Sequence, residues 1–358
     1  METPTARDHL LLMFGMKPER KWVDLNHCHE KLSRDWKKAP KEEVKKLLDK
    51  LVEEGFIWAK AGKYTRNPKC LAELERRLPK LDQKKLNFTY LLVYWARQYY
   101  PKVSDTVLEF CKDRMVGFYV VFTGKRFFRR NFRGRKITLN SLKDLMFYID
   151  VHYVDVIPCV HRIGKEKPDW LVLDLDAGPK VSWKDIIRTT KTTYQIMDKL
   201  GLNPVLKFSG SKGFQIWSLL DCPLPGWYQP VPLPGATKRE RNFFTLYSDL
   251  VRTIQKLVDK KVPGLTISVP VGKEQRKDKI LLDWASMKPL GLVRAPFSMH
   301  SRTGLVSLPL AASELGSFKP GMATPERAVK EYQKRKKLFI LRPGKPGKIL
   351  EELKKLGS

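Results

Sequence analysis

At 358 residues, with 42% hydrophobic residues and nine Trp, the chain is long enough to bury a substantial core in two or three domains and too apolar for a disordered basic tail. Its net charge of +31 is spread along the whole length. That points to nucleic acid as partner, since a merely solubilising or heat-resistant surface would carry more balanced signs. No apolar run reaches membrane-spanning length and no signal-peptide pattern opens the chain, so neither a membrane nor export is expected. Cys28, Cys70, Cys111, Cys159 and Cys222 are odd in number and scattered, as expected of free thiols in a reducing cytoplasm.

Residues 1–80 read as a separate module. Asn26-His27-Cys28-His29 gathers possible ligands, but without a Cys-x-x-Cys partner a zinc site is not expected. Pro40 precedes Lys41 to Glu54, where Val44, Leu47, Leu48, Leu51 and Val52 keep helical spacing and Gly55 is placed as the stop. Phe56-Ile57-Trp58-Ala59 and Lys63-Tyr64-Thr65 then flank an Ala-Gly turn, a hairpin signal. This order resembles the winged-helix pattern. The resemblance implies duplex or junction binding by the helix and a basic wing at Lys60, Lys63 and Arg66, with protein docking as the competing reading.

Pro79 and Asp82-Gln83-Lys84-Lys85 mark the boundary to a core over 81–312. Phe88 to Tyr100 is apolar and aromatic at helical length, and Val116 to Phe122 reads as a strand. From Gly124 to Arg133, the cations Arg126, Arg129 and Arg130 alternate with Phe127, Phe128 and Phe132. Such a run suits single-stranded nucleic acid, with bases stacked on rings and phosphates on guanidinium groups. A solvated basic strand face predicts the same residues. His161-Arg162 precedes the next strand, where a structural histidine is a simpler reading than one reaching a site.

Leu171-Val172-Leu173-Asp174-Leu175-Asp176 is an apolar strand with two acids spaced i, i+2, which a pleated strand presents on one face. An apolar run does not hold two adjacent carboxylates without a compensating cation, and Mg²⁺ or Mn²⁺ is the usual one. Ser182, with Asp185 three residues on, opens a helix that Gly201 closes. Val205 to Trp217 then reads as strand, tight turn, strand. In the turn, Ser209, Gly210, Ser211, Lys212 and Gly213 supply hydroxyls, close backbone N–H groups and a point charge for phosphate, without Walker spacing. Pro223 to Gly235 is a Pro-rich loop, and a helix follows from Phe243 to Val258. Lys279 to Trp284 is a further short strand carrying Asp283. Arg294, His300 and Arg302 add three groups able to grip polyphosphate, ahead of a last strand at Leu305 to Leu308. The order of elements is α+β, a mixed sheet with helices packed on it. Three carboxylates and a phosphate-cradling turn are what a two-metal nucleotidyl transfer needs.

On these motifs the chain resembles the archaeo-eukaryotic primase superfamily, which includes the small catalytic subunit of archaeal primase and the polymerase domain of bacterial end-joining repair ligases. Asp174-Leu175-Asp176 looks like the family's metal motif, with Asp283 as third ligand, and Ser209 to Gly213 looks like its nucleotide-binding motif. Arg294 to Leu305 is similar to the archaeal arginine, Ser-Leu-His and Thr-Gly-Leu signature. The resemblance implies two divalent ions, Mg²⁺ or Mn²⁺, and an NTP or dNTP substrate. It also implies a single-stranded or primed DNA template, with other replication or repair proteins alongside. In one departure, the family's histidine two residues after the second glycine is Gln215 here, which can hydrogen-bond phosphate but cannot carry a charge.

Residues 313–358 form a basic extension ending in a short amphipathic helix. Two functions compete: template-directed nucleotidyl transfer in priming or in gap and break filling, and an inactive nucleic-acid-binding protein with the same fold. An inactive protein has no reason to keep all of Asp174, Asp176, Asp283, Ser209, Lys212 and His300.

Overall fold

The computed structural model describes residues 1–17, 21–122, 125–230, 232, 238–268 and 276–357. Gly124 and positions 231 and 233–235 of the Pro-rich loop lie outside these residues. The chain forms two compact units. The first is Met1–Pro101, Val120–Phe127 and Lys143–Val154; the second is Lys102–Tyr119, Phe128–Leu142 and Asp155–Ser358.

In the first unit, Thr5 and Asp8 form a reciprocal capping box that starts helix Ala6–Gly15. Helix Lys41–Glu53 buries Val44, Leu48 and Leu51, one stripe at helical spacing. Each such side chain contributes roughly 1.5–3 kcal/mol when fully buried. Strands Ile57–Lys60 and Lys63–Arg66 pair antiparallel, and the two turn residues Ala61 and Gly62 both have positive φ, as a type I′ hairpin requires. A third strand, Val23–Asp24, pairs with Lys63–Arg66, an addition too short to leave a periodic signal. This unit also holds helix Phe88–Tyr99, started by Asn87, whose side chain accepts from Thr89 N and Tyr90 N.

The second unit is built on a mixed sheet, in strand order Thr266–Ile267, Ile280–Asp283, Trp170–Ala177, Phe214–Leu220, Val205–Phe208, Pro309–Leu310. Short strand Pro343–Gly344 pairs parallel with the end of Phe214–Leu220, and Thr266–Ile267 is parallel to Ile280–Asp283. The central strand buries Trp170 to Leu173, Leu175 and Ala177 and leaves only its two acids part-exposed. Helices Trp183–Lys199 and Phe243–Asp259 pack together, and Phe243–Asp259 also packs on the central strand. The C-terminal residues belong to this unit: Arg335 is buried and ion-paired to Glu331 and Glu314.

One expected strand differs. Leu305 to Leu308 does not form a regular strand; Val306 makes an isolated bridge to Met299, and the strand paired with Val205–Phe208 is Pro309–Leu310. The backbone groups there are taken by irregular partners, Val306 N by Ala323 O and Ser307 N by Ser298 O.

Candidate active site

Register alone assembles the centre of the site. Asp283 lies opposite Asp174, Asp174 opposite Gln215, and Gln215 opposite Lys207. Directly opposed residues share a sheet face, so four strands present one row: carboxylate, carboxylate, amide, amine. Asp176, two residues beyond Asp174, shares that face. Asp174, Gln215, Asp283 and Arg294 line a cleft of about 330 Å³ together with Tyr119, Phe128, Arg130 and Lys288. A larger cavity, about 550 Å³, is lined by Phe110, Trp170 and Phe339 near the far end of the Asp174 strand. Its Arg114 and Asp169 are paired with each other and Arg114 stacks on Trp170, so the carboxylate chemistry lies in the smaller cleft.

Burial pushes the Asp174 carboxyl up to about 6; the hydrogen bond from Gln215 opposes this, and like charge on Asp176 and Asp283 adds to it. Asp283 is raised too, by burial first and by Asp176 among the charges. Gln215 Nε2 donates to Asp174 Oδ2 at 3.0 Å, and Ala285 N donates to Asp283 Oδ1 at 2.7 Å. Asp176 is held differently: Arg276 Nη2 donates to its Oδ2 at 2.6 Å.

Oxygen-only donors that repel one another on one face fit a hard divalent cation, and Asp174 and Asp283 satisfy that test. The full triad does not converge: among the described residues, no three His, Cys, Asp or Glu side chains are grouped so as to hold a metal. Asp176 pairs with a guanidinium instead, which a cation ligated there would have to displace.

The Ser209–Gly213 turn closes over the end of the Asp174 strand. A Cβ on Gly213 would sit 2.0 Å from Leu175 O, and Gly210 has φ +89° with His300 packed against it. Neither position accepts a side chain without moving the backbone. Ser209 is nearly buried and its Oγ accepts from Gly213 N, whereas Lys212 is exposed. Thr303 Oγ1 donates to Gly210 O at 2.6 Å and so ties the turn to the His300 segment. His300 Nδ1 accepts from Arg302 N at 3.2 Å, a bond that puts the imidazole proton on Nε2. Arg302 is exposed.

Arg294 lines the cleft and is anchored by three hydrogen bonds. Its Nε and Nη2 donate to both oxygens of fully buried Asp155 at 2.7 and 2.9 Å, and Nη1 donates to Ser209 O at 2.9 Å. Asp155 also accepts from Ser301 N at 3.2 Å. Burial would raise the Asp155 carboxyl, but Arg294 outweighs this and holds it below the ordinary value.

The basic residues expected on nucleic acid divide. Arg130 lines the cleft, with its guanidinium 5.5 Å from the Phe128 ring centre, and Arg126 and Arg129 are exposed on strand Lys125–Arg129. Lys60 and Lys63 are exposed on the hairpin. Arg66 is not on that surface: it is buried and donates to Gly15 O at 2.9 Å, because its strand position faces the packed helices. His161 is structural, accepting from Leu290 N and packing edge-on against Phe244.

Residues 127–339, more than half of the chain, match the family of the LigD primase-polymerase domain. The chain belongs to the LigD primase-polymerase domain family. It is 30% identical over 154 residues to the multifunctional non-homologous end joining protein LigD of Pseudomonas aeruginosa, covering 43% of this chain and 16% of that protein. To the LigD of Mycobacterium tuberculosis it is 27% identical over 133 residues, covering 37% of this chain and 15% of that protein. The chain therefore aligns with about one sixth of the length of these relatives. In fold it resembles the polymerase domain of Mycobacterium tuberculosis ligase D in complex with DNA, with a TM-score of 0.54 and 18% identity over 67% of this chain and 88% of that one. The LigD-type core here is thus a mixed α+β sheet, as the order of elements predicts. Among the described residues no helix is long and apolar enough to cross a membrane.

Sequence reasoning passed over three residues of this candidate site: Asp155, Lys207 and Arg276. The first two had a signal, a charged residue inside an otherwise apolar strand (Val154-Asp155-Val156 and Leu206-Lys207-Phe208). Arg276 carried none, since its partner is 100 residues away.

Proposed function

We propose that this chain performs template-directed nucleotidyl transfer at DNA ends, filling gaps or breaks in end-joining repair. The observation that carries the reading is the row of Asp283 and Asp174 in a cleft, with the Ser209–Gly213 turn and His300 beside it, on a LigD-type fold. Asp174 and Asp283 would hold a divalent cation, with Asp176 joining once Arg276 is displaced. When bound, Mg²⁺ or Mn²⁺ supplies charge neutralisation for the triphosphate and lowers the pKa of the attacking hydroxyl.

The remaining work falls to this chain's own groups. Backbone N–H groups of the glycine turn, Lys212 and the Nε2–H of His300 donate to phosphate oxygens of an NTP or dNTP. Arg302 adds charge at the rim. Arg294 acts through Asp155 and Ser209, holding the turn and the His300 segment in register. Arg126, Arg129 and Arg130, with Phe127 and Phe128, offer a stacking and phosphate-binding strip for the template strand. The exposed Lys60 and Lys63 hairpin adds duplex binding in the manner of a winged helix. The end-joining relatives favour fill-in over replication priming.

The test is nucleotide addition to a recessed 3′ end with Mn²⁺ or Mg²⁺. Addition should stop with a chelator and fall at least a hundredfold in Asp283→Ala, while unprimed single strands give little product. Efficient synthesis on unprimed strands would assign priming instead, and full activity of Asp283→Ala would remove the metal role.

A further inference from the structure

We propose that Lys207 is a positioning residue for Asp174, acting through Gln215 by fixing the glutamine amide in the orientation that donates to the carboxylate. Lys207 is fully buried in the sheet. Its Nζ lies 2.6 Å from Gln215 Oε1 and 2.6 Å from Ser307 Oγ. Ser307 Oγ in turn donates to Phe208 O at 3.1 Å, so it accepts from the lysine. Burial holds the Lys207 amine well below its ordinary pKa, but charged or neutral it has protons for both partners, so the atom of Gln215 facing it is the carbonyl oxygen. The amide nitrogen is then left facing Asp174 Oδ2, 3.0 Å away.

Flipping the amide would set NH₂ against the amine N–H groups and oxygen against the carboxylate, losing both hydrogen bonds. Gln215 is 3% exposed, which leaves little access for solvent to rescue such a flip. A glutamine alone has no preferred flip; the row Asp174, Gln215, Lys207 gives it one. A purely structural residue at 207 would be served better by an apolar side chain, since the position is fully buried.

The proposal rests on Asp174 being a metal ligand, and the experiment separates the two claims. Mn²⁺ binding to the full chain is followed by the electron paramagnetic resonance signal of free Mn²⁺ in the wild type, Lys207→Met, Gln215→Met, the double variant and Asp174→Asn, with thermal unfolding as the check on folding. Lys207→Met and Gln215→Met should each weaken Mn²⁺ binding about tenfold or more, the usual effect of losing a partner that orients a ligand. The double variant should be no weaker than Gln215→Met alone, because the lysine acts only through the amide. Lys207→Arg, which offers donors and no acceptor to Gln215, should retain Mn²⁺ affinity and serves where Lys207→Met fails to fold. Unchanged Mn²⁺ binding in Lys207→Met, full additivity in the double variant, or loss of affinity in folded Lys207→Arg overturns the relay. Unchanged binding in Asp174→Asn overturns the metal reading itself.

Discussion

A single carboxyl carries much of the account. With its folded pKa raised from an ordinary 3.8 to about 6, Asp174 binds protons more tightly in the native state than in the unfolded chain. Metal-free stability contributed by this group is therefore greatest below about pH 4 and falls as pH rises towards 6, where the charge must be held uncompensated. Asp174→Asn should raise Tm in chelator at pH 7.5 and change it little at pH 4. Mn²⁺ should stabilise the wild type but not this variant. Thermal melts at the two pH values, with and without Mn²⁺, check this; identical melts would count against a strained carboxylate. Lys212→Ala makes a separate claim, because its side chain is exposed and holds nothing in place. It should raise nucleotide KM without moving Tm, and unchanged kinetics would remove it from the site. Asp174, Asp176 and Asp283 were legible as acids ending apolar strands. Their partners were not: Gln215 read only as a missing histidine, and Arg276 depends on a pairing that local sequence does not encode.

Strands and turns were read more surely than the loops that join them. The Asp174 strand, the glycine turn and helix Phe243–Asp259 follow from periodicity and stops that act over a few residues. Residues 294–308 did not, because their shape is set by a buried ion pair: Asp155, from another strand, holds Arg294 and Ser301 N. Phe297, a bulky residue at φ +61°, marks the strain of that segment. Asp155→Ala leaves Arg294 buried without its carboxylate and should cost about 3–5 kcal/mol of stability. Asp155→Asn keeps the shape but loses the charge, and should raise nucleotide KM more than it lowers Tm. Denaturant unfolding with steady-state kinetics tests both; wild-type nucleotide KM in Asp155→Asn would show that the pair does not hold the binding segments. Gly213→Ala should disable the turn, since the added carbon meets Leu175 O at 2.0 Å.

At the scale of the whole molecule, a charge of +31 implies DNA affinity that falls steeply with salt. Replacing both Lys60 and Lys63 by Ala should lower the slope of log K against log salt by roughly 0.9 for each phosphate that is no longer neutralised. Nucleotide addition at saturating DNA should stay unchanged. Titrations of duplex DNA across salt concentrations measure this, and an unchanged slope would make the hairpin a protein-docking element. Composition points to a polyanion partner, but says nothing of the outline of the units. The first unit draws in Val120–Phe127 and Lys143–Val154 from later in the chain, and such long-range assembly leaves no periodicity to read.

The activity proposed for the Asp174 row is metal-dependent nucleotide transfer. Single-nucleotide incorporation into a gapped duplex by the Asp174→Ala/Asp176→Ala double variant, alongside its affinity for the same DNA, tests it most directly. Incorporation should fall to background with DNA affinity within about twofold of wild type, since Lys60, Lys63, Arg126 and Arg129 are left in place. Wild-type incorporation by this variant would contradict that proposal.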